Sequence, residues 1–189
     1  MANMASVSYV IEGSKESLSA ICQAICKAFN NKDKHWDEYA ICINLGFSDK
    51  ELEQFKLGGE LLNSPSLGNS FIRFDTEERW GIQDFKTLLK HKFPDIKVYW
   101  IVEECGFEIY CTNDKEGKYF PERFWVDTCI DGSYNSEYFE TKEQVYEWLN
   151  KLTLGRVKCR EDVTNFNADY ENDGADENFI YVHEFDIDE

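Results

Sequence analysis

The chain has 189 residues, with 37 Asp and Glu against 20 Lys and Arg and a formal net charge of -17. A hydrophobic fraction of 42%, with 14 Phe, 10 Tyr and 5 Trp, excludes wholesale disorder. No apolar run approaches the ~20 residues of a membrane-spanning helix, and the acid surplus argues against a partner bound through its phosphates.

Residues 7–11 alternate and are rich in β-branched and aromatic side chains, which predicts a first strand. Ser14, Glu16 and Ser17 mark a helix start, and Leu18, Ile21, Cys22, Ile25, Cys26 and Phe29 follow at helical spacing. Residues 36–45 fit helix or strand. Ser48 and Glu51 form a capping-box pattern for a helix over 48–55, closed by Gly58-Gly59. Residues 63–69 read as a loop and 71–74 as a strand. A helix over 84–91 stops before Pro94. Residues 97–103 and 107–112 read as a hairpin around Cys105-Gly106. A polar turn at 113–117 precedes a strand from Arg123 to Cys129, and Tyr138-Phe139 suggests a short edge strand. Thr141 caps a helix over 142–152, residues 160–170 form a weak helical pattern, and 179–187 is a last strand.

Adjacent strands imply antiparallel hairpins. The expected fold is therefore α+β: an antiparallel, ferredoxin-like sheet backed by helices on one face. Residues 1–189 read as a single domain, with an N-terminal helical subregion at 14–62 and an acidic C-terminal segment at 161–189 carrying the closing strand. That segment holds eleven acids and no Lys or Arg, so it carries -11 of the net charge. Such a block reads as a solvated or interacting surface, here Asp169, Glu171, Asp173, Asp176 and Glu177. Asp169-x-Glu171-x-Asp173-Gly174 also looks like half a calcium loop, but its twelfth position is Ile180 rather than a bidentate Glu.

Seven cysteines, no CxxC pair and three scattered His leave no metal pattern, and no cofactor is expected. The N-terminus lacks a basic-then-apolar leader, so reduced thiols and a cytoplasmic location are the expectation. The chain lacks GxxxxGK[ST], GxGxxG and GxSxG, so no catalytic residue is assigned. In a one-sided sheet, alternation leaves Tyr99, Ile101, Tyr110 and Trp125 on the second face. An uncovered aromatic face marks a partner site.

Phe74-Asp75-Thr76-Glu77-x-x-Trp80, Phe93-Pro94, Glu103-Glu104-x-Gly106 and Thr112-Asn113-Asp114-x-x-Gly117-x-Tyr119-Phe120-Pro121-Glu122-Arg123 carry a resemblance. Over about residues 70–150 the chain resembles a group of bacterial proteins common in gut Bacteroidetes. It is also distantly similar to the YubB-type ferredoxin-like domains of plasmids and mobile elements. The resemblance implies a ferredoxin-like sheet and a mobile-element context, and no activity.

The sequence thus points to a non-enzymatic protein-binding module. Its acidic surface would engage a basic protein partner, as a DNA-mimicking anti-restriction protein or an immunity protein does. Direct nucleic-acid or membrane binding is not expected. The alternative is a small-ligand binder or enzyme. Its pocket would lie between sheet and C-terminal segment and use Glu103, Glu104, Asp114 and Arg123, since a guanidinium binds carboxylate or phosphate in bidentate fashion.

Overall fold

The computed structural model describes residues 4–31, 36–79, 84–173 and 178–188, and within 170–173 the backbone alone. The fold is mixed α+β with mostly antiparallel sheets and, among the described residues, six helices. The chain, expected as a single domain over 1–189, is built as two compact units. The first is Met1–Lys115 with Ile187–Glu189, and the second is Glu116–Asp186. No helix among the described residues is long and apolar enough to cross a membrane.

In the first unit β1 (Met4–Glu12) lies between β4 (Phe71–Arg79) and β5 (Lys97–Glu104), antiparallel to both. β2 (Gly59–Leu61) and the two-residue β3 (Ser66–Leu67) flank β4, and β6 (Ile109–Thr112) flanks β5. With β10 (Asp186–Ile187) the order is β10-β6-β5-β1-β4-β2. Ala5, Val7, Tyr9 and Ile11 alternate onto one buried face, as a half-covered strand requires. Tyr9 stands opposite Phe74 and Trp100, and its ring stacks on Phe74 at 5.1 Å.

Four helices belong to this unit: α1 (Lys15–Asn30), α2 (Asp37–Asn44), α3 (Asp49–Leu52) and α4 (Phe85–Lys92). Leu18, Ile21, Ala24, Ile25 and Ala28 of α1 and Phe85, Leu88 and Leu89 of α4 join the same core. Ser14 caps α1 by accepting from Ser17 N–H, and Asp95 accepts from Ser14 N–H at 3.0 Å. The ambiguous segment at 36–45 is α2. Its core contacts come at helical spacing, Glu38, Ile41 and Cys42.

The second unit is built on β7 (Phe124–Ile130), with β8 (Ser133–Phe139) and β9 (Phe179–Glu184) antiparallel on either side. Asp131-Gly132 joins β7 to β8 with φ of 51° and 75°. Two central residues with positive φ match the right-handed twist of the flanking strands, so the hairpin extends well beyond the expected Tyr138-Phe139. α5 (Lys142–Leu152) and α6 (Arg160–Asp173) supply the second core. Val145, Leu149, Val157 and Phe166 pack on Phe124, Val126, Ile130 and Ile180. Asn167 of α6 donates to Ile180 O and accepts from Ile180 N–H, both at 2.9 Å, satisfying the outer edge of β9.

Candidate functional site

The helices of the second unit cover one face of its sheet. The residues that pair across the other face are fixed by register. Trp125 stands between Tyr138 and His183, Asp127 between Ser136 and Tyr181, and Cys129 between Tyr134 and Phe179. Directly paired residues share a face, so this outer face is aromatic along both flanking strands. Tyr134 is 64% exposed, Tyr181 52% and Tyr138 42%. The rings are in mutual contact: Phe179 stacks on Tyr181 at 4.8 Å, and Trp125 stacks on His183 at 5.1 Å. Tyr134 meets the edge of Phe179 at 6.3 Å. Trp125 Nε1 donates to Ser136 Oγ at 2.6 Å, which fixes the indole across the strand pair.

Asp127 is half-buried in the middle of this face. Among the described residues no hydrogen bond or ion pair reaches its carboxylate. A groove of about 410 Å³ between β8 and α5 is lined by Glu122, Glu140, Glu147, Tyr138, Phe139 and Trp148, with Gln144 and Lys151. Phe139 and Trp148 contact each other at 5.5 Å, and Lys151 is paired with Glu147 at 2.8 Å.

The structure does not unite the four expected partner residues on one sheet. Tyr99, Ile101 and Tyr110 share a face of the first sheet, whereas Trp125 lies on the second. Tyr110 is only 5% exposed, so it presents no open surface. The expectation assumed one continuous sheet, and alternation within a strand carries no information on which sheet the strand joins.

The acidic group changes character as well. Asp169, exposed, with Glu171 and Asp173 belongs to the last turns of α6, so the acids of the half calcium loop are helical. Asp176 and Glu177 lie outside the described residues, as does Trp80 of the resemblance motif. Of the alternative pocket, Glu103, Glu104 and Asp114 lie in the first unit and Arg123 in the second. Glu104 is buried and accepts from Gly106 N–H at 3.0 Å and Phe107 N–H at 2.6 Å, closing its own hairpin. Asp114 is buried too, its N–H bonded to Thr112 Oγ1 at 3.1 Å. Arg123 donates from Nη1 to the carbonyls of Phe120 and Glu122, at 2.8 and 3.0 Å.

A second cluster escaped the sequence reading. Glu38 of α2 and Glu78 of β4 are both 0% exposed in the core of the first unit. Glu38 Oε2 accepts from the N–H groups of Gly58 and Gly59 at 3.0 and 2.9 Å. The Gly58-Gly59 pair thus cradles a carboxylate of its own chain. A Cβ on Gly59 would sit 2.6 Å from Glu38 Cδ, so only glycine admits this approach. Glu78 Oε1 accepts from Tyr9 Oη at 2.6 Å and Thr76 Oγ1 at 2.9 Å.

Glu38 Oε1 is buried and, among the described residues, has no donor facing it. Burial, then the neighbouring charge of Glu78, hold the Glu38 carboxyl well above the usual range. The raised value favours the neutral carboxyl, which avoids a second buried charge beside Glu78. Burial and the same two carboxyls push the Tyr9 hydroxyl up, and burial together with Glu38 pushes the Cys42 thiol up to about 12. Periodicity carried the signal: Ile72, Phe74, Thr76 and Glu78 share one strand phase, which puts Glu78 inward.

Compared with protein-family models, with curated proteins and with solved structures, the chain has no significant match.

Proposed function

We propose that this protein is a non-enzymatic protein-binding module that docks a basic protein partner on the outer face of its second sheet. The carrying observation is the run of exposed aromatic rings at Tyr134, Tyr138 and Tyr181 around Asp127. Large exposed aromatic side chains are costly in water and are enriched where partners bind. The second unit holds 17 acids against 7 bases over residues 116–186, which favours a basic partner over a nucleic acid. The buried cluster of the first unit supports no competing reading. Glu38 and Glu78 lie wholly inside the core, where no substrate reaches them. Glu104, from the alternative carboxylate–arginine pocket, serves its own turn.

On the same reading the first unit is a ferredoxin-like sheet. The order β5-β1-β4-β2, with α1 after β1 and α4 between β4 and β5, supports it. The mobile-element context rests on the motif resemblance, and a reducing cytoplasmic location is in keeping with seven free cysteines.

The test is affinity capture from host lysate with wild-type protein and with the double variant Tyr134→Ser, Tyr181→Ser, compared by quantitative mass spectrometry. The reading expects basic proteins that the wild type retains at low salt and the variant loses. Equal recovery by both proteins, or recovery of nothing, would sink it.

A further inference from the structure

We propose that Asp127, Tyr181 and the Trp125–His183 stack form a receptor for an arginine side chain of the basic partner. The inference rests on the docking reading above and names the group that the face recognises.

The argument starts from the carboxylate. Asp127 lies mid-strand on a half-buried surface, its cross-strand neighbours are Ser136 and Tyr181, and among the described residues it has no ion pair or hydrogen bond. A partly desolvated carboxylate without a counter-charge is unfavourable alone and favourable once a cation reaches it. Ser136 Oγ receives the indole N–H of Trp125, so the side chains beside Asp127 are already engaged with each other.

The rings select the kind of cation. Tyr181 lies between Phe179, stacked at 4.8 Å, and His183, tilted at 6.2 Å, while Trp125 stacks on His183 at 5.1 Å. These contacts make a rigid aromatic platform around one acidic group. A guanidinium is planar, weakly hydrated and able to lie on an aromatic face while its edge donates two parallel N–H bonds to a carboxylate. An ammonium is a compact, strongly hydrated point charge and gains less from such a platform. Among the strand positions of this face there is no Lys or Arg from 133 to 139, from 124 to 130 or from 179 to 184, so no lysine or arginine of these strands competes for Asp127, and His183 is engaged in its stack on Trp125.

The probe is a short acetylated, amidated peptide with two arginines separated by glycine, with lysine and citrulline versions as comparators. Binding is read from the Trp125 indole N–H signal in two-dimensional NMR, assigned with Trp125→Phe. The expected result is a saturable shift with the arginine peptide. The lysine peptide should bind about fivefold more weakly and the citrulline peptide about tenfold more weakly, as loss of a ~1.4 kcal/mol charge-assisted contact gives. Asp127→Asn should weaken the arginine peptide by about tenfold while leaving the circular-dichroism spectrum unchanged and the melting temperature no lower.

No saturable shift with the arginine peptide, lysine binding as tight as arginine, or an unaffected Asp127→Asn variant each overturns the arginine receptor. If the lysate capture still separates wild type from Tyr134→Ser, Tyr181→Ser in that event, the docking face stands and only its arginine selectivity is lost.

Discussion

Glu38 is the residue whose chemistry most depends on burial. Its carboxyl is held above the usual range, so the folded protein keeps this proton at pH values where the unfolded chain has released it. The stabilising effect is complete below about pH 4.3, the ordinary Glu value, and is lost as pH rises through the raised folded value. Glu38→Gln keeps an acceptor for Gly58 and Gly59 and supplies a permanent N–H donor toward Glu78. The variant's stability gain over wild type should therefore grow from about pH 4.5 to pH 8 in urea unfolding. A gain that does not change with pH would contradict a raised Glu38 carboxyl. Tyr9→Phe removes the 2.6 Å donor to Glu78 and should cost about 1–3 kcal/mol in the same assay. Gly59→Ala forces a methyl against Glu38 and should cost about 1–3 kcal/mol by overpacking.

At the scale of single elements, α5 is a helix whose start is written in its sequence. Thr141 accepts from Gln144 N–H, and the Gln144 side chain accepts from the Thr141 N–H at 3.1 Å. Thr141→Ala should destabilise the second unit by about 1 kcal/mol, read as a lower urea midpoint with unchanged slope. Much of the fold is legible at this scale. The caps at Ser14, Ser48 and Thr141 and the spacing of Leu18, Ile21 and Ile25 each foretell a helix that forms. Residues 36–45 were not decidable, because a short apolar run suits either period until its neighbours select one. β8 spans Ser133–Phe139, well beyond the Tyr138-Phe139 that its sequence marks. Its residues are mostly exposed, so no apolar alternation marks the strand. Alternation along β7 alone puts Trp125 and Asp127 on one face, whereas Tyr134 and Tyr181 join them only through pairing across β7.

For the whole molecule the dominant fact is charge. A net charge of -17 surrounds the protein with a negative field that accelerates encounter with a basic partner. The field is screened over about 30 Å at ~0.01 M salt and about 3 Å at ~1 M. The association rate of a captured partner, followed by stopped flow, should fall by at least about tenfold across that range, with dissociation changing much less. A rate independent of salt would mean that the acids play no part in recognition.

Composition and periodicity alone settle an acidic α+β protein, the helix starts and the inward phase of each well-patterned strand. They do so because caps and side-chain alternation are local properties of the chain. Tertiary structure decides which strands share a sheet, and so puts Trp125 on a different sheet from Tyr99, Ile101 and Tyr110, with His183 and Tyr138 as its cross-strand neighbours. It also decides which acids meet solvent. Asp169 remains on the surface, while Glu38 and Glu78, forty residues apart, are both buried in the core of the first unit. Both outcomes depend on contacts between residues distant in sequence, whose closeness exists only once the strands have paired.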